Sequence, residues 1–103
     1  MAFTVVAKFE ELKAGEPQAC RAGGRDLALC RVADDVYAVD GYCPHVGGPL
    51  AHGALHGRML ACPWHAWEFD CATGQLNGQG PQRLATFAVE VRDGDVWVDV
   101  PDA

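Results

Sequence analysis

Cys43-Pro44-His45 and Cys62-Pro63-Trp64-His65 are the two stretches on which the reading of this chain turns. They read C-x-H, sixteen intervening residues, then C-x₂-H. Each supplies one thiol and one imidazole from a loop stiffened by proline, whose ring fixes φ. Two sulfurs and two nitrogens at that spacing form a closed set of four metal ligands: Cys43, His45, Cys62 and His65. Iron–sulfur chemistry needs soft thiolates. With two cysteines on one iron and two histidines on the other, the set suits a [2Fe–2S] cluster. Neutral imidazoles leave such a cluster readier to accept an electron than an all-cysteine one. A structural zinc ion takes the same donor types. Zinc fingers, however, usually group two cysteines in one knuckle and two histidines on one helix, whereas here each loop carries one of each and no helical pattern follows.

Outward from these loops the chain reads as short strands. Residues 3–8, 16–21, 26–32 and 36–40 precede the first ligand loop, with Ala33-Asp34-Asp35 a hairpin signal between the last two. Residues 58–61 and 67–70 flank the second loop, and Thr73-Gly74 reads as a turn. Residues 86–92 and 95–100 alternate with period two around Asp93-Gly94, the strongest hairpin signal in the chain. No window carries a 3.6-residue apolar stripe with caps; at most a turn of helix lies near Phe9–Leu12. Strand-like residues 1–40 and 84–103 therefore form a base in a single domain over 1–103. A Gly-, Pro- and His-rich piece at about 41–80 is expected to be inserted in it and to hold the metal.

Composition bounds the function. The chain has 103 residues, half of them hydrophobic, 12 glycines and 6 prolines, which suits one small turn-rich domain. Its net charge of −6 argues against nucleic acid, which demands a basic face, and favours encounter with basic patches on partner proteins. Five cysteines, two of them in the ligand set, leave Cys20, Cys30 and Cys71 over. Three cannot all pair internally, Cys30 lies in an apolar run, and the pattern fits reduced thiols in a cytoplasmic protein. No run reaches 18 apolar residues, and the early Glu10 and Glu11 do not suit a signal peptide, so no membrane association is expected.

On Cys43-Pro44-His45-Val46-Gly47-Gly48-Pro49-Leu50, Cys62-Pro63-Trp64-His65 and the closing Phe87–Val96 hairpin, the chain resembles the Rieske ferredoxins, the small electron carriers of bacterial ring-hydroxylating dioxygenase systems. The resemblance spans essentially the whole length. It implies an all-β fold: a Rieske-like antiparallel β-sandwich base with an inserted rubredoxin-like cluster-binding subdomain. It implies one [2Fe–2S] cluster, with Cys43 and Cys62 on the inner iron and His45 and His65 on the outer. It also implies no catalysis by the chain itself. Single electrons would pass from an NAD(P)H-dependent flavoprotein ferredoxin reductase to a terminal Rieske oxygenase in aromatic hydrocarbon catabolism. Further readings are the Rieske small subunit of an NADH-dependent nitrite reductase, a component of another oxygenase, and, in a different class, a zinc-stabilised non-redox interaction module. A stand-alone oxygenase is disfavoured by length and by the lack of Asp or Glu among residues 51–60 beside His52 and His56, which read as surface loop histidines.

Departures from relatives place the chain within that family. Rieske proteins of quinol-oxidising complexes carry an extra cysteine in each loop, joined as a disulfide; Gly48 and Trp64 stand there. They also carry a serine and a tyrosine whose hydroxyls donate to cluster and cysteine sulfur; Trp67 and Phe69 stand there. At about 1.5–3 kcal/mol per hydrogen bond to a charged group, and ~59 mV per ~1.4 kcal/mol for one electron, two missing donors lower the potential by on the order of 100–250 mV. Ala66 replaces a frequent glycine. Gly47, Gly48 and Gly53 are expected to let backbone approach the cluster, and Gly74, Gly78, Gly80 and Pro81 to cover its other side. Trp64 and Trp67 flank His65 and can shape either a docking face or a shield; Trp97 reads as core, and the carboxylates as a mostly solvated face.

Overall fold

The computed structural model describes residues 3–43, 47–64, 67–76 and 83–100. Its strands are β1 (Phe3–Lys8), β2 (Gln18–Ala22), β3 (Arg25–Val32), β4 (Asp35–Asp40), β5 (Ala54–His56), β6 (Met59–Ala61), β7 (Glu68–Asp70), β8 (Thr86–Arg92) and β9 (Asp95–Asp99). Single 3₁₀ turns occupy Phe9–Glu11 and Leu50–His52. Strands β1-β9-β8-β4-β3-β2 form one six-stranded antiparallel sheet, and β5-β6-β7 a separate three-stranded one.

Tight turns set the registers. Arg92 pairs with Asp95 across Asp93 and Gly94, whose φ values of 53° and 80° are those of a primed hairpin turn. Strand β8 divides its pairing: Thr86 and Phe87 lie against β4, and Ala88–Arg92 against β9. The sheet thereby bends over on itself, and its two edge strands, β1 and β2, come together. Leu27, Leu29, Val36, Ala38, Val96 and Val98 fill the space enclosed.

The run Leu27-Ala28-Leu29-Cys30 is buried at every position, because β3 is covered on both faces. Leu27 and Leu29 face the enclosed core of the large sheet. Ala28 and Cys30 face the other way, with Val39 of β4, into a second core that includes Leu50, Leu55, Leu60 and Phe69. Each large side chain so enclosed contributes roughly 1.5–3 kcal/mol, so the small sheet is fastened to the large one by apolar burial.

Four expectations are corrected. The second strand begins at Gln18 rather than Glu16, since Pro17 has no N–H for the ladder. His52 and His56 are exposed but not in loops: the first lies in a 3₁₀ turn and the second ends β5. Trp97 belongs to neither core; Val96 and Val98 point inward, and Trp97 is half-buried on the opposite face beneath the Arg92 guanidinium, 4.7 Å from its ring centroid. Its Nε1 is buried without a hydrogen-bond partner.

Candidate metal centre

Cys43 and Cys62 occupy equivalent places in two similar loops. The Cys43 N–H donates to the Gly48 carbonyl at 2.9 Å, and the Cys62 N–H donates to the Trp67 carbonyl, also at 2.9 Å. Each loop thus closes with the cysteine N–H bonded five residues ahead. The first is held at its neck by the Tyr42–Pro49 bridge and by the Leu50 N–H on the Gly41 carbonyl. The second is the tip of the β6–β7 hairpin, closed by the Ala61–Glu68 pair. Both cysteine side chains lie in the core between the sheets, 2 % and 5 % exposed.

Gly48 joins the loops. Its carbonyl receives the Cys43 N–H, while a Cβ built on it would lie 3.0 Å from Cys62 Sγ and 3.2 Å from the Trp64 ring. The Cys62 sulfur therefore borders a space that any side chain at residue 48 would fill, and the Cys43 backbone is bonded to the same glycine. Two buried soft donors on loops joined by a glycine suit a metal–sulfur group. His45 and His65 lie outside the described residues, as do Ala66, Gly78, Gly80 and Pro81. Among the described residues no three His, Cys, Asp or Glu side chains make a metal site of their own.

Other expected residues sort by place. Trp64 is 64 % exposed at the tip of the second loop. Trp67 is half-buried and meets Phe69 edge-on, with ring centroids 6.3 Å apart. Phe69 is fully buried, paired with Leu60 and bridged to Leu76. A side chain at Gly53 would collide with the Ala61 carbonyl, and one at Gly74 with the Leu84 carbonyl, so backbone packing requires glycine at both.

Sequence reading missed two features around this centre. Asp26, at the start of β3, accepts from Tyr42 Oη at 2.7 Å and from Arg21 at 2.8 Å, and its carbonyl accepts the Gly41 N–H at 3.0 Å. The Tyr42 hydrogen bond, with Arg21 beside it, holds the Asp26 carboxyl below its ordinary range, and the same bond raises the Tyr42 phenol. That knot fixes the residue preceding Cys43. The second feature is that Cys30 and Cys71, 41 positions apart, meet in one core and perturb each other's titration. The neighbouring Cys71 thiol and burial keep Cys30 protonated, and Cys30 in turn lowers the Cys71 thiol. Burial alone pushes the Cys20 thiol up to about 11. No short-range signal in the sequence joins residues so far apart.

A model of the Rieske [2Fe-2S] domain matches residues 2–88. The chain is 32% identical over 91 residues to the ferredoxin component of a naphthalene 1,2-dioxygenase system of Pseudomonas aeruginosa, covering 87% of this chain and 88% of that one. The Sphingomonas yanoikuyae B1 ferredoxin superposes with a TM-score of 0.88 at 30% identity, over 97% of this chain and all of that one. A ferredoxin solved in complex with the oxygenase of carbazole 1,9a-dioxygenase superposes with a TM-score of 0.85 at 32% identity, over 93% of this chain.

Proposed function

The chain belongs to the Rieske [2Fe–2S] domain family, and from that premise we propose that it is the ferredoxin of an aromatic-ring dioxygenase system. It carries single electrons from an NAD(P)H-dependent flavoprotein reductase to a terminal Rieske oxygenase in the cytoplasm. The observation that carries this reading is the extent of the likeness: ferredoxin components match nearly end to end. One such ferredoxin has been solved on its oxygenase.

In this reading all 103 residues are a single domain, and Cys43, His45, Cys62 and His65 hold one [2Fe–2S] cluster. The cluster supplies reversible one-electron transfer at negative potential. The chain's own residues do the rest. The thiolates of Cys43 and Cys62 would hold one iron, and Gly48 leaves the space beside the Cys62 sulfur open. Leu50, Leu60 and Phe69 keep water from the inner face. His45 and His65 would hold the cluster's second iron and serve as the electron port. The exposed Trp64 adds an apolar face at the second loop's tip, of the kind that anchors protein contacts.

The test is NADH-driven turnover reconstituted from purified components. Adding the holoprotein to a flavoprotein reductase and a ring-hydroxylating oxygenase is expected to restore oxygenation of the aromatic substrate. No reduction of any such oxygenase, alongside efficient support of a sirohaem nitrite reductase, would contradict the assignment.

A further inference from the structure

Cys30 and Cys71 are two neighbouring thiols that the electron-transfer role does not use. Cys30 lies on the face of β3 turned toward the small sheet, and Cys71 immediately follows β7. Both are buried, at 0 % and 1 % exposed, in the same core, and their thiols are close enough for each to shift the titration of the other. The backbone around Cys71 is tied down: its N–H donates to the Arg58 carbonyl at 2.8 Å, and the Ala72 N–H donates to Asp70 Oδ1 at 2.9 Å. Cys71 also lines an open groove with Tyr37, Thr86, Phe87 and Val89. The groove brings solvent up to the Cys71 residue.

We propose that Cys30 and Cys71 are a redox pair that a peroxide converts to a disulfide, locking the metal-binding insertion onto the base. Cys71 lines the groove, so its sulfur is the one that attacks the peroxide O–O bond. A sulfenic acid forms and one water leaves. The Cys30 sulfur then displaces the sulfenic hydroxyl as a second water and closes the S–S bond. Two thiols and one hydrogen peroxide give one disulfide and two waters. The closed loop runs from residue 30 to residue 71 and contains both ligand words. Cross-linking a loop of that length restricts the unfolded chain strongly, so the oxidised form releases its metal less readily on heating. The inference does not depend on which reductase or oxygenase the protein serves.

The experiment oxidises the holoprotein with an equimolar amount of hydrogen peroxide, blocks remaining thiols under denaturing conditions and maps the peptides by mass spectrometry. The expected product is a monomer with a Cys30–Cys71 linkage and an unchanged visible spectrum. Its thermal bleaching should move to higher temperature and return on adding dithiothreitol. Cys20→Ser should behave like wild type, whereas Cys30→Ser and Cys71→Ser should lose both the linkage and the shift. The wild-type peptide map needs neither variant to fold. Cys30 and Cys71 both still open to alkylation would overturn the proposal. A Cys43–Cys62 linkage, or cross-linked copies through Cys20, found in place of the expected linkage would do the same.

Discussion

Phe69 is enclosed completely, with Leu60 beside it on β6 and Trp67 edge-on to its ring. It belongs to the same core as Cys43 and Cys62, so a hydroxyl added to its ring enters the surroundings of the sulfurs. Phe69→Tyr is expected to raise the reduction potential by about 60–130 mV, the worth of one hydrogen bond to a charged acceptor for a one-electron couple. Wild type should sit near the low end of the Rieske range, about −150 mV. An intact cluster with unchanged potential in the tyrosine variant would refute this account of the tuning. Cys43→Ser, His45→Ala, Cys62→Ser and His65→Ala should each abolish normal cluster assembly, since each removes one of four proposed ligands. His52→Ala and His56→Ala, both at exposed positions, should leave iron content and visible spectrum unchanged. At this scale the meeting of Cys43 and Cys62 in one core was legible, because cysteine and histidine at such spacing are chemically unusual. The Cys30–Cys71 pairing was not, because it depends on two strands meeting through a folded core.

The hairpins show what period and turn chemistry can and cannot reveal. β8 and β9 were readable to within a residue because seven alternating residues, a two-residue turn and five more repeat one pattern. Strand β5 was missed: Ala54-Leu55-His56, set between Gly53 and Gly57, offers a single large apolar residue. Gly74 tests the packing between insertion and base. Its φ is +80° and a side chain there meets the Leu84 carbonyl, whereas Gly57 at +59° has open space around it. Gly74→Ala should lower unfolding free energy by about 2–3 kcal/mol. Gly57→Ala should lower it by only about 1–2 kcal/mol, both measured by denaturant titration. The Arg21–Asp26–Tyr42 knot has its own pH signature. Asp26 has a depressed folded-state pKa. Its contribution is therefore present above the ordinary carboxylate value of 3.8 and is lost as pH falls through the lower, folded one. Asp26→Asn should accordingly be less stable than wild type at neutral pH and should lose less stability as pH falls below 3.8, measured by denaturant titration across pH. Equal stability of the two proteins at neutral pH would contradict this role for the knot.

Across the whole molecule, β3 and β4 of the large sheet form a floor between two cores, one on each side. The bending of the large sheet and the double burial of β3 could not be read from local pattern. The continuous apolar run Leu27–Cys30 was their one visible trace, and it suits a buried thiol as readily as a strand covered on both faces. The charge of −6 belongs to the same scale. Electron delivery to a partner with a basic face should slow as ionic strength rises, since salt screens steering between acidic and basic surfaces. Stopped-flow traces across a salt series check this, and a rate indifferent to salt would point to apolar docking alone. The central claim, one cluster bound by two thiolates and two imidazoles, is tested most directly by low-temperature electron paramagnetic resonance with nitrogen hyperfine resolution on the reduced protein. The account predicts a rhombic signal carrying two strongly coupled, inequivalent nitrogens, both ascribable to His45 and His65 by substitution. A signal with no strongly coupled nitrogen, or a colourless protein holding one zinc, would contradict it.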